Sequence, residues 1–324
     1  MSRTLGVVMD PIESITPYKD TTLAMMLAAS ARGWTIHSID QRDIYLDKGE
    51  VFARRRRVDV FDDNDRWFTA DAPVDAPLAE NDIILMRKDP PFDMDYIYTT
   101  YLLERVAASG VLVSNRPSSL RDVNEKLSTA WFSELCPPTL VTTSSERLKA
   151  FVNEHEDAII KPLDGMGGAG IYRLTPKDSN LNIILEQSTR NDSRQIMAQR
   201  YIPEIVDGDK RVLVVNGRAV PFALARIPAQ GETRGNLAAG GRGVPVPITS
   251  AEQRIVDAVA PSLIERGLLF VGLDVIGSHL TEINVTSPTC VRELDAHMHK
   301  ESGGSDYKPG IADDYLDALD ASLT

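Results

Sequence analysis

Cysteine is nearly absent from this chain of 324 residues: it has two, Cys136 and Cys290, far apart in sequence. That excludes a disulfide framework and points to a reducing compartment or to indifference about redox. Long apolar runs are also missing. Nothing approaches the roughly 18 uninterrupted apolar residues of a membrane span, and the run at residues 5–9, closed by Asp10, is too short for a secretory signal. The cytoplasm is therefore the expected location, with no membrane partner. Positive charge is scarce, with 35 Lys+Arg against 47 Asp+Glu and a net charge of −12. Such a molecule repels polyanions, so nucleic acid is not an expected partner. No internal repeat of fixed period occurs. What is present, 43% hydrophobic and 25% charged residues, matches ordinary globular proteins, and the length suits two or three structural units.

The organisation follows from periodicity. Residues 5–9 form an apolar run ending in Asp10-Pro11, and residues 21–32 place Leu23, Met26, Leu27 and Ala31 on one helical face before Gly33. Strands are predicted at 34–39, 83–86 and 111–114 and a helix at 96–109, an alternation that favours a parallel sheet covered by helices. Ligands of such sheets sit beyond the carboxyl ends of the strands, which directs attention to the loops after Met9 and Met86. The four arginines at 54–57 are taken as a solvated hairpin or loop face. From about Lys126 the texture changes to short β-like runs (158–161, 170–174, 210–215, 219–225, 270–276, 280–284) between Gly-rich loops, an α+β region on antiparallel strands. Ser250 with Gln253 suggests a capping box for a helix kinked at Pro261 and ended by Gly267. Gly277-Ser278 suggests a tight hairpin. Residues 301–309 are expected to be mobile and 313–319 to form a short acidic helix.

Three constellations carry chemistry. In Lys161-Pro162-Leu163-Asp164-Gly165-Met166-Gly167-Gly168-Ala169-Gly170, a β-run ends in a lysine and a glycine loop whose backbone N–H groups can face phosphate oxygens. The spacing is neither a P-loop nor a dinucleotide fingerprint, because a strand and not a helix follows. A flap over a nucleotide and a plain glycine hairpin both remain open. Glu282 and Asn284, two apart on a strand, project from one face, and Asp274 lies on the preceding strand within an apolar run. The set is either a Mg²⁺ site of hard oxygen ligands or a polar solvent face, although an acid inside an apolar strand needs a charged or metal partner. Residues 226–243, rich in glycine and arginine, form either a lid over an anion or a surface loop. His297 and His299, without a third ligand, suggest an exposed turn or helix end, and Cys290 a buried neutral thiol.

These residues, in this order, resemble the signature blocks of the bacterial-type glutathione synthetases, ATP-grasp ligases. The matching blocks are Met86-Arg87-Lys88-Asp89-Pro90-Pro91-Phe92-Asp93, Asn124-Glu125-Lys126, the glycine loop, Gly231-Glu232-Thr233-Arg234-Gly235-Asn236-Leu237-Ala238-Ala239-Gly240-Gly241-Arg242-Gly243 and Glu282-Ile283-Asn284-Val285-Thr286-Ser287-Pro288-Thr289. The last two together are the most specific, and coverage runs from about residue 4 to residue 295. After Asp295 the sequence departs from the pattern.

The resemblance implies an α/β plus α+β architecture: an N-terminal Rossmann-like domain over 1–122, an ATP-grasp domain over 123–311 with subdomains of about 123–200 and 201–311, and an acidic tail over 312–324. It implies ATP-driven condensation of γ-glutamylcysteine with glycine through an acyl phosphate, with Mg²⁺ as cofactor, Mn²⁺ as its substitute, and a homotetrameric assembly. Carried over residue by residue, Lys126, Lys161, Gly165, Met166, Gly167 and Gly168 contact phosphates, while Gln199, Tyr201 and Ile202 hold adenine. Asp209 meets the ribose, and Arg211 and Asn236 the phosphate side. Asp274, Glu282 and Asn284 bind metal, and Arg226 with the Gly240 and Gly241 amides holds the oxyanion. Arg87, Arg234, Ser287 and Thr289 bind substrate carboxylates. A ligase for another carboxylate and amine, or a nucleotide-binding regulatory protein, shares many of these residues. On this reading the cleft is locally positive although the chain is acidic.

Overall fold

The computed structural model describes residues 2–231, 235, 240–302 and 310–323. The apolar runs of the first third form seven strands: β1 (Thr4–Val8), β2 (Thr35–Asp47), β3 (Glu50–Val60), β4 (Phe68–Ala70), β5 (Val74–Pro77), β6 (Ile83–Met86) and β7 (Leu112–Ser114). Their order is β4-β3-β2-β1-β6-β7, with β5 also on β3. The expected parallel core is present, since β1 pairs parallel with both β2 and β6, and β6 with β7. The sheet is larger than expected, because β2 continues into an antiparallel hairpin with β3, which also carries β4 and β5. Arg54–Arg57 lies on β3, and the expectation of a wholly solvated face fails for Arg55, which is 7% exposed and ion-paired with Glu80. In a half-buried strand alternate residues turn inward. The sheet is flanked by α1 (Thr21–Ala31), α2 (Met94–Ala107) and α3 (Pro117–Asp122). The first two are capped by Asp20 and Asp93, whose carboxylates accept from the N–H groups of Leu23 and Tyr96.

The second sheet, β10-β9-β11-β8, is antiparallel and small: β8 (Thr139–Thr142), β9 (Ala158–Pro162), β10 (Tyr172–Leu174) and β11 (Ile196–Arg200). With α4 (Ser145–His155) and α5 (Leu181–Ser188) it closes its own core of Leu148, Val152, Ile160, Leu185 and Ala198 among others.

The third sheet runs β15-β14-β12-β16-β17 with β13 on β12: β12 (Asp209–Val215), β13 (Arg218–Ala219), β14 (Phe222–Ile227), β15 (Arg242–Pro247), β16 (Phe270–Ile276) and β17 (His279–Asn284). The single strand expected over 219–225 is split after Ala219, where Pro221, with no N–H to donate, ends one pairing before β14 begins. Helix α6 (Ser250–Glu265) runs through Pro261 without interruption. Its capping box sits one residue earlier than expected. Thr249 caps, its hydroxyl accepting from Ala251 N–H at 3.2 Å, while Glu252 accepts from Thr249 N–H at 2.9 Å. Glu252 is selected over Gln253 because Lys210 on β12 ion-pairs with it beneath the helix. Thr249→Ala is expected to lower stability by about 0.5–2 kcal/mol, read as an earlier midpoint in chemical denaturation with activity at 25 °C retained.

Both faces of the third sheet are covered. Leu213, Leu224 and Phe270 join β1 residues Leu5 and Val7 in one core, together with α7 (Val291–Glu301) and α8 (Ile311–Ser322). Val212, Val271 and Leu273 join Val8 and Ile84 in another, with α2, α3 and α6. The short acidic helix expected at 313–319 is the longer α8. It buries Ile311, Tyr315, Leu316 and Leu319 and is tied to the first unit by Arg3–Asp320 and Arg32–Asp313 ion pairs. Of the segment expected to be mobile, residues 303–309 lie outside the described residues. The first and third sheets therefore share their cores, whereas the second sheet packs around its own. A cleft opens between the second and third sheets.

Candidate active site

The cleft encloses about 850 Å³ including its open mouth. Its lining unites residues that the sequence keeps far apart: Lys126, Lys161, residues 165–169, residues 199–202, Asp209, Asp274 and Glu282. Strand β9 delivers Lys161 and the glycine loop, which returns into β10 and does not open a helix. Glycine is required at 165 because a Cβ there would stand 2.6 Å from Cγ of Pro162. The Lys126 ammonium donates to the Gly165 carbonyl at 2.7 Å, bracing the loop, and lies 3.4 Å from Glu282 Oε1; the Lys161 ammonium lies 3.6 Å from the same oxygen. Both lysines are 5% exposed. Burial lowers the pKa of Lys161 and the nearby Lys126 charge adds to this, while Glu282 opposes it.

The opposite wall is built from cross-strand pairs. Arg211 on β12 stands directly across from Asp274 on β16, Asp209 across from Arg226 on β14, and Asp274 across from Glu282 on β17. Directly opposed residues share a face, so these five charged side chains gather on one side of the sheet. Arg211 Nε donates to Asp274 Oδ1 at 2.6 Å and Nη2 to Oδ2 at 3.1 Å. Arg226 pairs with Asp209 and reaches Asp274 Oδ2 at 2.9 Å. Gly272 makes this possible, since a Cβ there would lie 2.8 Å from Cδ of Arg211. The two guanidinium groups outweigh burial at Asp274 and hold its carboxyl below the usual range. Asp209 moves the other way. Burial and the charges of Asp274 and Glu282 push it up to about 7 against the pull of Arg226, and its Oδ1 is buried with no hydrogen-bond partner among the described residues. An acceptor oxygen held at the cleft without a donor suits a ligand hydroxyl.

Several expectations change at this point. Arg211 and Arg226 do not line the cleft; they stand behind Asp209 and Asp274, which do. Among the described residues the cleft lining holds Lys126, Lys161 and Arg200 against Asp209, Asp274 and Glu282, three charges of each sign. Asp274 is committed to two arginines. Arg87, expected to hold a carboxylate, is 5% exposed; it donates to Pro288 O at 2.8 Å and Thr22 Oγ1 at 3.2 Å and covers the Phe270 ring, tying the first sheet to the third. Ser287 donates to the Arg87 carbonyl at 3.3 Å and Thr289 is exposed; neither lines the cleft, nor do Gly240 and Gly241. Arg234 and Asn236 lie outside the described residues. Cys290 is 1% exposed and its thiol pKa is raised by burial, which leaves it a poor nucleophile. The His297 ring packs edge-on against Phe222.

Sequence reasoning missed the apolar walls, Ile159, Ile171, Ile205 and Ile276, because a β-branched residue lining a ligand and one lining a core follow the same strand pattern. It also left the adenine edge unresolved. Tyr201 N–H is engaged with Asp157 O at 3.0 Å, and the Ile202 carbonyl accepts from Ile205 N–H at 3.2 Å. The Tyr201 carbonyl and the Ile202 N–H remain, with no partner among the described residues. These two groups are the ends of one trans peptide and point in opposite directions, so only one of them can face a given ligand edge.

No cluster of three or more His, Cys, Asp or Glu side chains able to hold a metal occurs among the described residues. The donor set still fits Mg²⁺ at Glu282 and Asn284. Neither Glu282 oxygen accepts a hydrogen bond among the described residues, and Asn284 uses its Nδ2 on Gly272 O at 3.0 Å, leaving Oδ1 as a ligand. Mg²⁺ commonly takes one or two protein oxygens and completes its shell with water and phosphate.

Known proteins share these features. Residues 4–121 match the family model described as prokaryotic glutathione synthetase, N-terminal domain, and residues 125–299 the model for its ATP-grasp domain. The chain is 55% identical over 323 residues to a glutathione synthetase of Pseudomonas aeruginosa, covering 100% of this chain and 99% of that one. It is 53% identical over 319 residues to that of Escherichia coli, with 98% of each covered. Among solved structures, D-cycloserine synthetase DcsG aligns over 99% of this chain and 100% of its own at a TM-score of 0.68 and 14% identity. D-alanyl-alanine synthetase A from Vibrio cholerae aligns over 99% and 98% at 0.58 and 12%. These last two bear on the fold alone. No helix among the described residues is long and apolar enough to cross a membrane. With both family models matched and full-length relatives above half identity, the chain belongs to the prokaryotic glutathione synthetase family of ATP-grasp ligases.

Proposed function

We propose that the cleft binds ATP and activates the cysteinyl carboxylate of γ-glutamylcysteine for attack by glycine. The observation that carries this is the meeting, in one cavity, of the strand-end segment 199–202, a glycine loop braced by Lys126, the buried Lys161 ammonium and the Glu282 carboxylate. Adenine lies between the isoleucine walls, beside Gln199. The Asp209 oxygen accepts from a ribose hydroxyl, and Lys126, Lys161 and the loop amides at 165–168 take the phosphates.

The chemistry is phosphoryl transfer followed by acyl transfer. A carboxylate oxygen of the dipeptide forms a bond to the γ-phosphorus as the bond to the β-phosphate oxygen breaks and ADP departs. The glycine amine then adds to the acyl carbon, phosphate leaves with the C–O electron pair, and the amine proton is released. No enzyme nucleophile is needed, so the protein contributes positioning and fixed charge. Glu282 and Asn284, with Asp274 nearby, would hold Mg²⁺, which would supply charge neutralisation at the phosphates. Arg226, with the amides at Gly240 and Gly241, is assigned to the oxyanion, and Arg211 to holding Asp274. For Arg226 the assignment requires its guanidinium to exchange an Asp209 or Asp274 contact for substrate. The carboxylate roles of Arg87, Arg234, Ser287 and Thr289, the domain division at 122 and 311, and a homotetramer are part of the same reading and rest on the family resemblance.

The test is purified protein with ATP, Mg²⁺, γ-glutamylcysteine and glycine, following phosphate release and the thiol product. Stoichiometric release and product are expected. Release only with another carboxylate and amine pair would reassign the substrate. ATP binding without release for any pair would make the chain a nucleotide-responsive binder.

A further inference from the structure

Asn124, Glu125 and Lys126 are consecutive, yet they touch three parts of the site. Asn124 Nδ2 donates to the Leu163 carbonyl at 3.0 Å, at the entry to the glycine loop. Lys126 reaches the Gly165 carbonyl and Glu282. Glu125, between them, engages the chain around the proposed metal ligands. Its carbonyl accepts from Ile283 N–H at 2.8 Å. Its carboxylate Oε1 accepts from Val285 N–H at 2.9 Å, Thr286 N–H at 3.0 Å and Thr286 Oγ1 at 2.9 Å. The four bonds flank Asn284 on both sides and include the residue between Glu282 and Asn284.

We propose that Glu125 is a positioning residue: its carboxylate fixes the backbone after β17 so that Glu282 and Asn284 present their oxygens together toward the phosphates. The proposal rests on the metal-ligand reading of Glu282 and Asn284 given above. The physical argument is one of edges. β17 is the last strand of its sheet, so on its outer side the backbone N–H groups have no neighbouring strand to meet. An edge left to water twists and frays, whereas ligands must be held to within about 0.5 Å to be useful. One carboxylate oxygen taking three donors replaces the missing strand where it matters, at the residues just past Asn284. Because the neighbouring Lys126 braces the glycine loop, the same short segment sets the distance between phosphate loop and metal strand. Groups that orient metal ligands in this way typically change metal affinity or activity by roughly 10–100-fold when removed.

Reach and charge can be separated. Glu125→Gln keeps an acceptor oxygen at the same length without the charge, and Glu125→Asp keeps the charge but falls one methylene short of Val285 and Thr286. Each variant is compared with the unchanged protein for Mn²⁺ affinity by electron paramagnetic resonance in the presence of a non-hydrolysable ATP analogue, for kcat and for the ATP KM. Amide hydrogen exchange at Ile283, Val285 and Thr286 is followed in parallel. The expected result is that Glu125→Asp binds Mn²⁺ about 10–100-fold more weakly, with lower kcat and faster exchange at Val285 and Thr286, while Glu125→Gln stays within about threefold of the unchanged protein. Loss in Glu125→Gln with none in Glu125→Asp would overturn the anchoring role in favour of charge, and no loss in either would overturn it outright. Glu282→Gln serves as the control: if it leaves Mn²⁺ affinity unchanged, the metal-ligand reading has failed, a result distinguishable from failure of the Glu125 proposal.

Discussion

Replacing Arg226 by alanine is expected to lower kcat by roughly two to three orders of magnitude, the loss seen when an oxyanion donor is removed, with a smaller change in the ATP KM. The geometry makes this more than a charge deletion. Arg226 is 5% exposed and stands between two carboxylates, those of Asp209 and Asp274. Alanine leaves Asp274 to Arg211 and removes from Asp209 its ion-pair partner among the described residues, and breaking a buried pair costs about 3–5 kcal/mol. The folded state then lowers that cost by protonating Asp209, whose pKa burial and neighbouring acids already raise. Thermal stability of the variant is therefore expected to fall, and to fall more as pH rises, because a raised carboxyl favours the folded state only while it is protonated. Arg226→Lys separates the roles. Lysine retains one positive charge but cannot span Asp209 and Asp274 as a guanidinium does, so stability is expected to return in part while kcat remains low. A variant with normal kcat and a raised ATP KM would show that Arg226 shapes the nucleotide site and does not act on the oxyanion.

Glu282→Gln is expected to cause a comparable loss, roughly two orders of magnitude in kcat, with a higher Mg²⁺ concentration for half-activation. The amide preserves shape and removes the one carboxylate that both Lys126 and Lys161 approach. A second consequence follows from the lysines. Burial already depresses the Lys161 pKa and Glu282 counteracts it. Without that carboxylate the ammonium loses its proton at a lower pH, and the alkaline limb of the pH–rate profile moves down. An unchanged Mg²⁺ dependence would remove Glu282 from the metal site; an unmoved alkaline limb would show that Lys161 does not titrate within the profile.

Both results depend on how the third sheet is registered. Because β12 pairs with β14 and β16, Asp209 meets Arg226 and Arg211 meets Asp274 as direct cross-strand partners. The sequence shows each as a charged residue within or beside an apolar run, which is enough to demand a partner but not to name it. The demand expected for Asp274 was met by two arginines, separated from it in sequence by 63 and 48 residues (274 − 211 and 274 − 226). Arg87 illustrates the opposite case. A loop arginine at the carboxyl end of a parallel strand suits a carboxylate ligand, and the chain also folds back across 201 residues to place the Pro288 carbonyl against it, a contact that no local pattern shows.

What the sequence determined by itself was local or linear. Strand β16 matches its expected limits, 270–276, and β17 follows through the Gly277-Ser278 turn, because turn chemistry and apolar runs act over a few residues. The glycine loop between two strands, the helix after Asp20 and the ordered signature blocks were legible for the same reason. The tertiary structure alone decided which charges neutralise one another, that the second sheet keeps a core of its own, that α8 docks on the first unit, and that Glu125 holds the end of β17. Those outcomes come from long-range packing and register, in which a burial energy shared across distant segments selects one pairing among many that local propensity leaves equal.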